Sequence, residues 1–380
     1  MPLILNSFSL DVDRSKIRVQ SAALEWEDRQ VTMEGSIDFL PEAILLDMNV
    51  STDGLQWGTI QKILKNEDRK TQSEKTGQTD PGFGASNPME TRFPPFRGRI
   101  GIKSPYLDYD RHTFRPLSAE ITFPPDEVRV TVTEANVCGI STTGVVKVAS
   151  GGMVLDFHPF AEGQELSASV ACLLGKPRPV SGSFNLDSRI KGQGQPKDLV
   201  SSLQGPWQLG AKEGRLYHGS IILQIVALLN LSELFAKDKM EPGKREIRYK
   251  TLQAKGDMES GKIFIREMAM DTPEMQMFSA GEIDFVNQRI DLVIAIAPLK
   301  TVDWIVRHTP LLGYILGGTL VSIPVKVKGD LSDPRIIPLD PAEIGVGFLG
   351  DMKRTLKVPF KLIKPIFKDP GKRRNNDLEP

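Results

Sequence analysis

Val31-Thr32-Met33-Glu34-Gly35-Ser36-Ile37-Asp38-Phe39 places apolar residues at every second position, with Thr32, Glu34, Ser36 and Asp38 between them. Successive side chains of a strand point to opposite faces, so this stretch predicts a strand with one greasy face and one wet face. The pattern returns in Ile44, Leu46, Met48 and Val50, in Leu117, Ala119, Ile121 and Phe123, and in Val128, Val130 and Val132. A long sheet with one continuous apolar face must have that face covered. The cover is either protein or a ligand with a long hydrocarbon body.

The fold expected from these segments is mainly β with a few helices. It is a long curled antiparallel sheet forming an apolar groove, with helical elements in the C-terminal third. Ile37, Phe39, Leu46, Met48, Ile121, Phe123, Val128, Val130 and Val132 are the residues expected to line it.

The 380 residues suffice for two or three domains. A hydrophobic share of 40% and a charged share of 25% are ordinary for a folded chain. Basic and acidic residues balance at 48 each, so no net field steers nucleic acid here, and none is expected as a partner. The two cysteines are Cys138 and Cys172. Alternation sets Cys172 with Leu166, Ala168 and Val170 on an apolar strand face, which reads as two buried small hydrophobes. A disulfide is the alternative, and spacing does not decide it.

Residues 1–65 read as strands with a short helix near Trp57–Lys65. Residues 66–95 are polar and rich in Gly, Pro, Thr and Ser, as a flexible insertion is. Strands resume over residues 96–181 as an antiparallel meander, with helical periodicity nearly absent to about Leu174. A module over 182–338 and a basic tail over 339–380 complete the chain.

Gly219 to Ala236 is apolar nearly all round. It reads as a core helix plugging the sheet, with a membrane-contacting helix as the alternative. Ile290, Leu292, Ile294 and Ile296 share a strand with Val293, Ala295 and Ala297, so both faces of that strand should be covered. Val302 to Leu316 is helix-like, and Ile323 to Lys328 reads as the last strand. In the tail, Phe348, Met352, Leu356 and Phe360 recur every four residues beside Lys353, Arg354, Lys357 and Lys361. That is a basic amphipathic helix, which fits either a membrane surface or docking on the sheet.

Reaction chemistry is not evident. The four histidines, His112, His158, His218 and His308, are scattered. Gly139 to Gly144 is one residue too long for a nucleophile elbow and lies between strands. No His or Cys pair has zinc spacing, and Gly192-Gln193-Gly194 lacks the rest of a phosphate-binding fingerprint. Asp108, Asp110, Glu282 and Asp284 sit on wet strand faces, where acids usually serve solvation. The expectation is a non-enzymatic protein without a cofactor.

From Gly182 the sequence resembles the C-terminal region of the AsmA-like family of bacterial envelope proteins, which includes the YhdP and TamB types. The resemblance rests on an ordered set of stretches. These are Gly182-Ser183-Phe184-Asn185-Leu186, Ile190-Lys191-Gly192-Gln193-Gly194, Leu199 to Gly205, Glu213 to Gly219 with the apolar run after it, Gly261 to Ile265, Ser279 to Phe285, and Ile323 to Pro334. It implies a curled sheet whose apolar face carries lipid acyl chains, with phospholipid or another acyl lipid, a membrane surface and envelope assembly proteins as partners.

It also implies support of outer-membrane assembly from the periplasmic face of the cell envelope, with an inner-membrane anchor where the full-length protein carries one. Met1 to Asn6 has neither a basic n-region nor a long apolar segment, and strand-like sequence starts at once. The expectation is a chain that continues a longer polypeptide. The competing reading is a structural β scaffold that fills its own apolar face and acts through protein–protein contacts.

Overall fold

The computed structural model describes residues 4–26, 29–58, 96–175, 180–195, 198–217, 224–225, 246–298, 314–316 and 320–339. The chain is mainly β, and its strands form an open, mixed sheet rather than a closed barrel. It divides into two compact units. Unit 1 holds residues 1–159, 172–175 and 190–202; unit 2 holds 160–171, 176–189 and 203–380.

Unit 1 is built from β1 (Ile4–Asp13), β2 (Lys16–Trp26), β3 (Arg29–Phe39), β4 (Ile44–Thr52), β5 (Leu55–Gln56), β6 (Phe96–Ser104), β7 (Leu107–Tyr109), β8 (His112–Thr122), β9 (Glu127–Val137) and β10 (Ile140–Ala149). β11 (Gly152–Glu165) enters it with its first half. β1 to β4 form an antiparallel meander. β4 then pairs in parallel with β6, Ile44 opposite Phe96 and Val50 opposite Ile102, and β5 pairs in parallel with β7. From β6 the order β6–β8–β9–β10 is antiparallel again. The sheet is therefore antiparallel, as expected, with two parallel pairings added. A parallel neighbour needs a crossover, and the segment between β4 and β6 supplies one.

Gly98 of β6 has φ +96°, and a Cβ there would lie 1.9 Å from the Leu46 carbonyl oxygen. Only glycine allows β4 and β6 to approach this closely.

Unit 2 takes the second half of β11 and then β12 (Ser183–Ser188), β14 (Gly205–Leu216), β15 (Ile247–Glu259), β16 (Lys262–Asp271), β17 (Met275–Asp284), β18 (Arg289–Pro298), β19 (Tyr314–Leu316), β20 (Leu320–Asp330) and β21 (Pro334–Pro338); β13 (Ile190–Gly194) belongs to unit 1. The ladder runs antiparallel through β11, β12, β14, β15, β16, β17, β18, β20 and β21. Across it Phe184, Ala211, Leu252, Met270, Met277, Ile296 and Ile323 stand opposite one another in turn. Most of that row is closed to solvent: Phe184 is 2% exposed, Met277 and Ile296 0%. β18 is buried on both faces over residues 294–297, as its two-sided apolar pattern requires.

Four sequence expectations are corrected. Leu166–Leu174 is a helix, α1, and not a strand. Leu166 and Ser169 are its buried residues, three positions apart. Gly175, at φ +64°, supplies the left-handed residue that ends a helix. Cys172 is exposed on α1, and it is disulfide-bonded to Cys138 in the β9–β10 turn rather than buried as a free thiol. Tyr314–Leu316 is a strand paired with Leu320–Ser322, within a stretch read as helical. Finally, β20 is followed by β21, so it is not the last strand.

The rest of several readings lies outside the described residues. These are the helix near residues 57–65 beyond its helical start at Trp57 and Gly58, the insertion 66–95, the apolar run 219–236 apart from exposed Gln224 and buried Ile225, and the tail with Lys353, Arg354, Lys357 and Lys361.

Candidate functional site

The strand register of unit 1 brings the nine expected lining residues onto one face. Ile37 stands opposite Leu46, and Met48 stands opposite Gly35. Across the parallel joint Met48 faces Ile100, and Ile100 faces Ile121. Ile121 faces Val130, Ala119 faces Val132, and Val130 and Val128 face Val146 and Val148. In the other direction Ile37 faces Ile17 and Gly35 faces Val19, which face Val12 and Leu10 of β1. Phe39 faces Ile44, Ile44 faces Phe96, and the Phe96 and Phe123 rings meet with centroids 6.1 Å apart. Facing pairs on adjacent strands share a side of the sheet, so the apolar surface is continuous from β1 to β10.

Val19, Ala22 and Met48 form a small buried cluster, with Ile17, Met33, Ile37 and Ile100 packed against it. Ile121, Phe123, Val128, Val130 and Val132 are half-buried, Phe39 is 47% exposed and Val12 is 72% exposed. The apolar face of unit 2 that carries Met270, Val325 and Val327 differs: Met270 is 1% exposed, and Val325 and Val327 are 0%. One alternating pattern thus yields, in unit 2, a face closed at Met270, Met277, Ile296, Val325 and Val327 and half-buried at Leu209, Leu252, Ile263, Ile265 and Met268, and in unit 1 a face half-open along most of its length.

The reverse side of the unit 1 sheet is polar. Lys16 pairs with Asp38 at 3.0 Å, and Arg99 reaches Asp47 at 2.9 Å on one neighbouring strand and Glu120 at 3.9 Å on the other. Arg129 pairs with Glu127. These exposed pairs contribute little stability each. They fix which side of the sheet meets water.

Three of the four acids considered for chemistry have structural partners, and Asp110 lies in the β7–β8 turn at φ +53°. Asp108 accepts a hydrogen bond from Thr113 Oγ1 at 2.7 Å. Glu282 and Asp284 share Lys262, at 3.0 and 3.9 Å. Asp284 also accepts the Asn287 backbone and side-chain N–H groups, both at 2.8 Å, and these bonds hold its carboxyl below the usual range. His112 contacts the Leu173 carbonyl at 3.1 Å through Nε2. Among the described residues no group of three or more His, Cys, Asp or Glu side chains is arranged for a metal, and no helix is long and apolar enough to cross a membrane. A cleft of about 460 Å³ in unit 2 is lined by Asp187, Trp207, Lys255, Asp257 and Arg266 among others, and contains none of the nine residues.

Sequence reasoning missed the β6 residues Ile100 and Ile102 that join the two halves of the face. Their signal was present in Phe96-x-Gly98-x-Ile100-x-Ile102, the same period of two. No family model matches the chain, and neither does a curated protein or a solved structure.

Proposed function

We propose that the protein is a non-enzymatic lipid-binding protein of the AsmA-like type, which holds or conducts phospholipid or another acyl lipid along the apolar face of unit 1. The observation that carries this reading is the contrast in cover: of nine apolar residues joined through register into one face, all but Met48 stay partly open, while the apolar face of unit 2 is closed at Phe184, Met270, Met277, Ile296, Val325 and Val327. An acyl chain gains about 0.8 kcal/mol per buried methylene. It needs length and continuity of lining, not a polar constellation. β4 alone, nine residues long, offers about 30 Å of apolar strand.

The Cys138–Cys172 disulfide supports residence in an oxidising compartment such as the periplasm, because cytosolic thiols are kept reduced. On this reading the basic residues Lys353, Arg354, Lys357 and Lys361 bring the tail to an anionic membrane surface, and the protein supports outer-membrane assembly. The buried stretch of unit 2 around Met277, Ile296 and Val325 favours the second reading, a self-filled scaffold, for that unit. Gentle isolation followed by mass spectrometry of the intact protein tests the function. Bound acyl lipid supports it; protein reproducibly free of lipid, and unable to acquire it from vesicles, leaves the scaffold.

A further inference from the structure

The apolar face of unit 1 has two unlike ends. Where β3 finishes and β4, β6 and β9 begin, the rim is hydrocarbon: Phe39, Ile44, Phe96 and Phe123 follow one another without a polar break. At the opposite strand ends lie Arg29, the first residue of β3, and Arg115, near the start of β8. Arg29 stands two residues before Val31 on the alternation of β3, so it shares the apolar face. Both guanidiniums rest on the ring of Tyr106, at 5.3 and 5.5 Å from its centroid.

Tyr106 is firmly held. Its carbonyl accepts hydrogen bonds from Ser104 Oγ at 2.6 Å and from the Leu55 amide at 3.0 Å. Its ring lies on Gly54, where a Cβ would come within 2.3 Å of Cζ. Trp57 and Tyr109 meet in a tilted contact, with centroids 5.5 Å apart.

On the polar face Lys16, Arg99 and Arg129 have a carboxylate, whereas Arg18, Lys103 and Lys147 have no ion pair among the described residues. Arg29 and Arg115 form no ion pair among the described residues, yet they converge on one ring. Arg29 is half-buried and Arg115 is exposed, so both are accessible. Each Cζ lies within 5.5 Å of the same centroid, so the two are no more than about 11 Å apart. The ring's quadrupole favours each cation singly, and an anion reached by both lowers the repulsion between the two like charges. Paired guanidiniums match the oxygens of a phosphate better than any other common anion-binding side chains do.

We propose that Arg29 and Arg115, stacked on Tyr106, receive the phosphate of a lipid headgroup, and that the face thereby orients its ligand with the headgroup at the Arg–Tyr end and the acyl chains toward Phe39, Phe96 and Phe123. This rests on the lipid reading of the unit 1 face. It adds a polarity and a headgroup class.

The test compares two probes with identical acyl chains, phosphatidylglycerol and diacylglycerol, each offered in phosphatidylcholine-free neutral-detergent micelles to the whole chain. Uptake is read by native mass spectrometry. Wild type should retain phosphatidylglycerol about tenfold better than diacylglycerol. The double variant Arg29→Gln/Arg115→Gln should lose that preference while still taking up diacylglycerol, with an unchanged melting temperature. Should the double variant melt early, the same comparison is made with Arg29→Lys/Arg115→Lys, which keeps charge but loses the planar fork and should retain a weakened preference.

Equal uptake of both lipids by wild type, or a preference that survives in the Gln variant, overturns the headgroup site and leaves the apolar face intact. Uptake of neither lipid overturns the face reading itself, and the headgroup site with it. Inorganic phosphate, titrated alone, separates the sources. Phosphate binding that depends on the two arginines, without a lipid preference, assigns the pair to free phosphate and overturns the headgroup proposal.

Discussion

Tyr249 shows how one side chain locks a junction of unit 2. It is 2% exposed, and its hydroxyl donates to the Ser181 carbonyl at 2.6 Å. Gly182 and Gly214 leave room for it, since a Cβ at either would come within 2.5 Å of the phenol. Burial, with Glu165 adding to it, pushes the phenol up to about 12 from an ordinary value of 10.0. The folded state therefore holds this proton more tightly than the unfolded chain does. The contribution of Tyr249 is complete below pH 10 and is lost as pH rises toward 12. Urea unfolding of wild type and Tyr249→Phe across that window should show the wild-type advantage shrinking with pH; a constant difference would place the phenol in water.

Gly98 makes a second prediction at this scale. With φ +96° and the Leu46 carbonyl 1.9 Å from any Cβ, Gly98→Ala should cost about 1–3 kcal/mol in urea unfolding. A neutral substitution would mean that β4 and β6 can part there without penalty.

At the scale of elements, legibility in the sequence followed local period. β3, β4, β8 and β9 were readable because one face is apolar and the other polar, so period two is unbroken. The parallel joint between β4 and β6 was not readable, because nothing in either strand encodes its partner across the intervening segment. α1 was misread because Leu166, Ala168, Val170 and Cys172 satisfy a strand alternation. The burial of Leu166 and Ser169, with Gly175 after the last turn, has helical spacing instead. β21 escaped because Pro334 and Pro338 bracket a run of only three other residues, and proline is found mainly at sheet edges.

The disulfide could not be read from two cysteines 34 residues apart on elements of unknown proximity. It ties α1 to the β9–β10 turn, and closing a loop of that length should stabilise the fold by about 3–4 kcal/mol. Cys172→Ser should lower the urea midpoint accordingly, and the untreated protein should present no thiol to an alkylating reagent. Full alkylation without reduction would show that the bond does not form.

At the scale of the molecule, the two units differ in how their apolar faces are covered. Apolar strand faces of the same period include a fully buried stretch around Met277, Ile296 and Val325 in unit 2 and form a partly open surface in unit 1. The sequence marked both faces, since Ile121 and Val130 alternate as cleanly as Ile294 and Ile296. It carried no mark of which would be covered, because cover comes from whatever packs on the sheet. An aspartate placed on each face reports the difference. Val130 faces Ile121 and Val146 on the half-buried side of unit 1. Val325 faces Ile294 and is 0% exposed in unit 2.

An unpaired charge trapped in a core costs several kcal/mol, whereas one on an open face still reaches water. The measurement is a thermal melt by circular dichroism with lipid content by mass spectrometry on the same samples of Val130→Asp and Val325→Asp. Val130→Asp should fold cooperatively near the wild-type temperature and have lost bound lipid, while Val325→Asp should unfold or aggregate. Unfolding of Val130→Asp to the same degree as Val325→Asp, or a folded Val130→Asp that retains its lipid, would contradict the lipid reading of the unit 1 face.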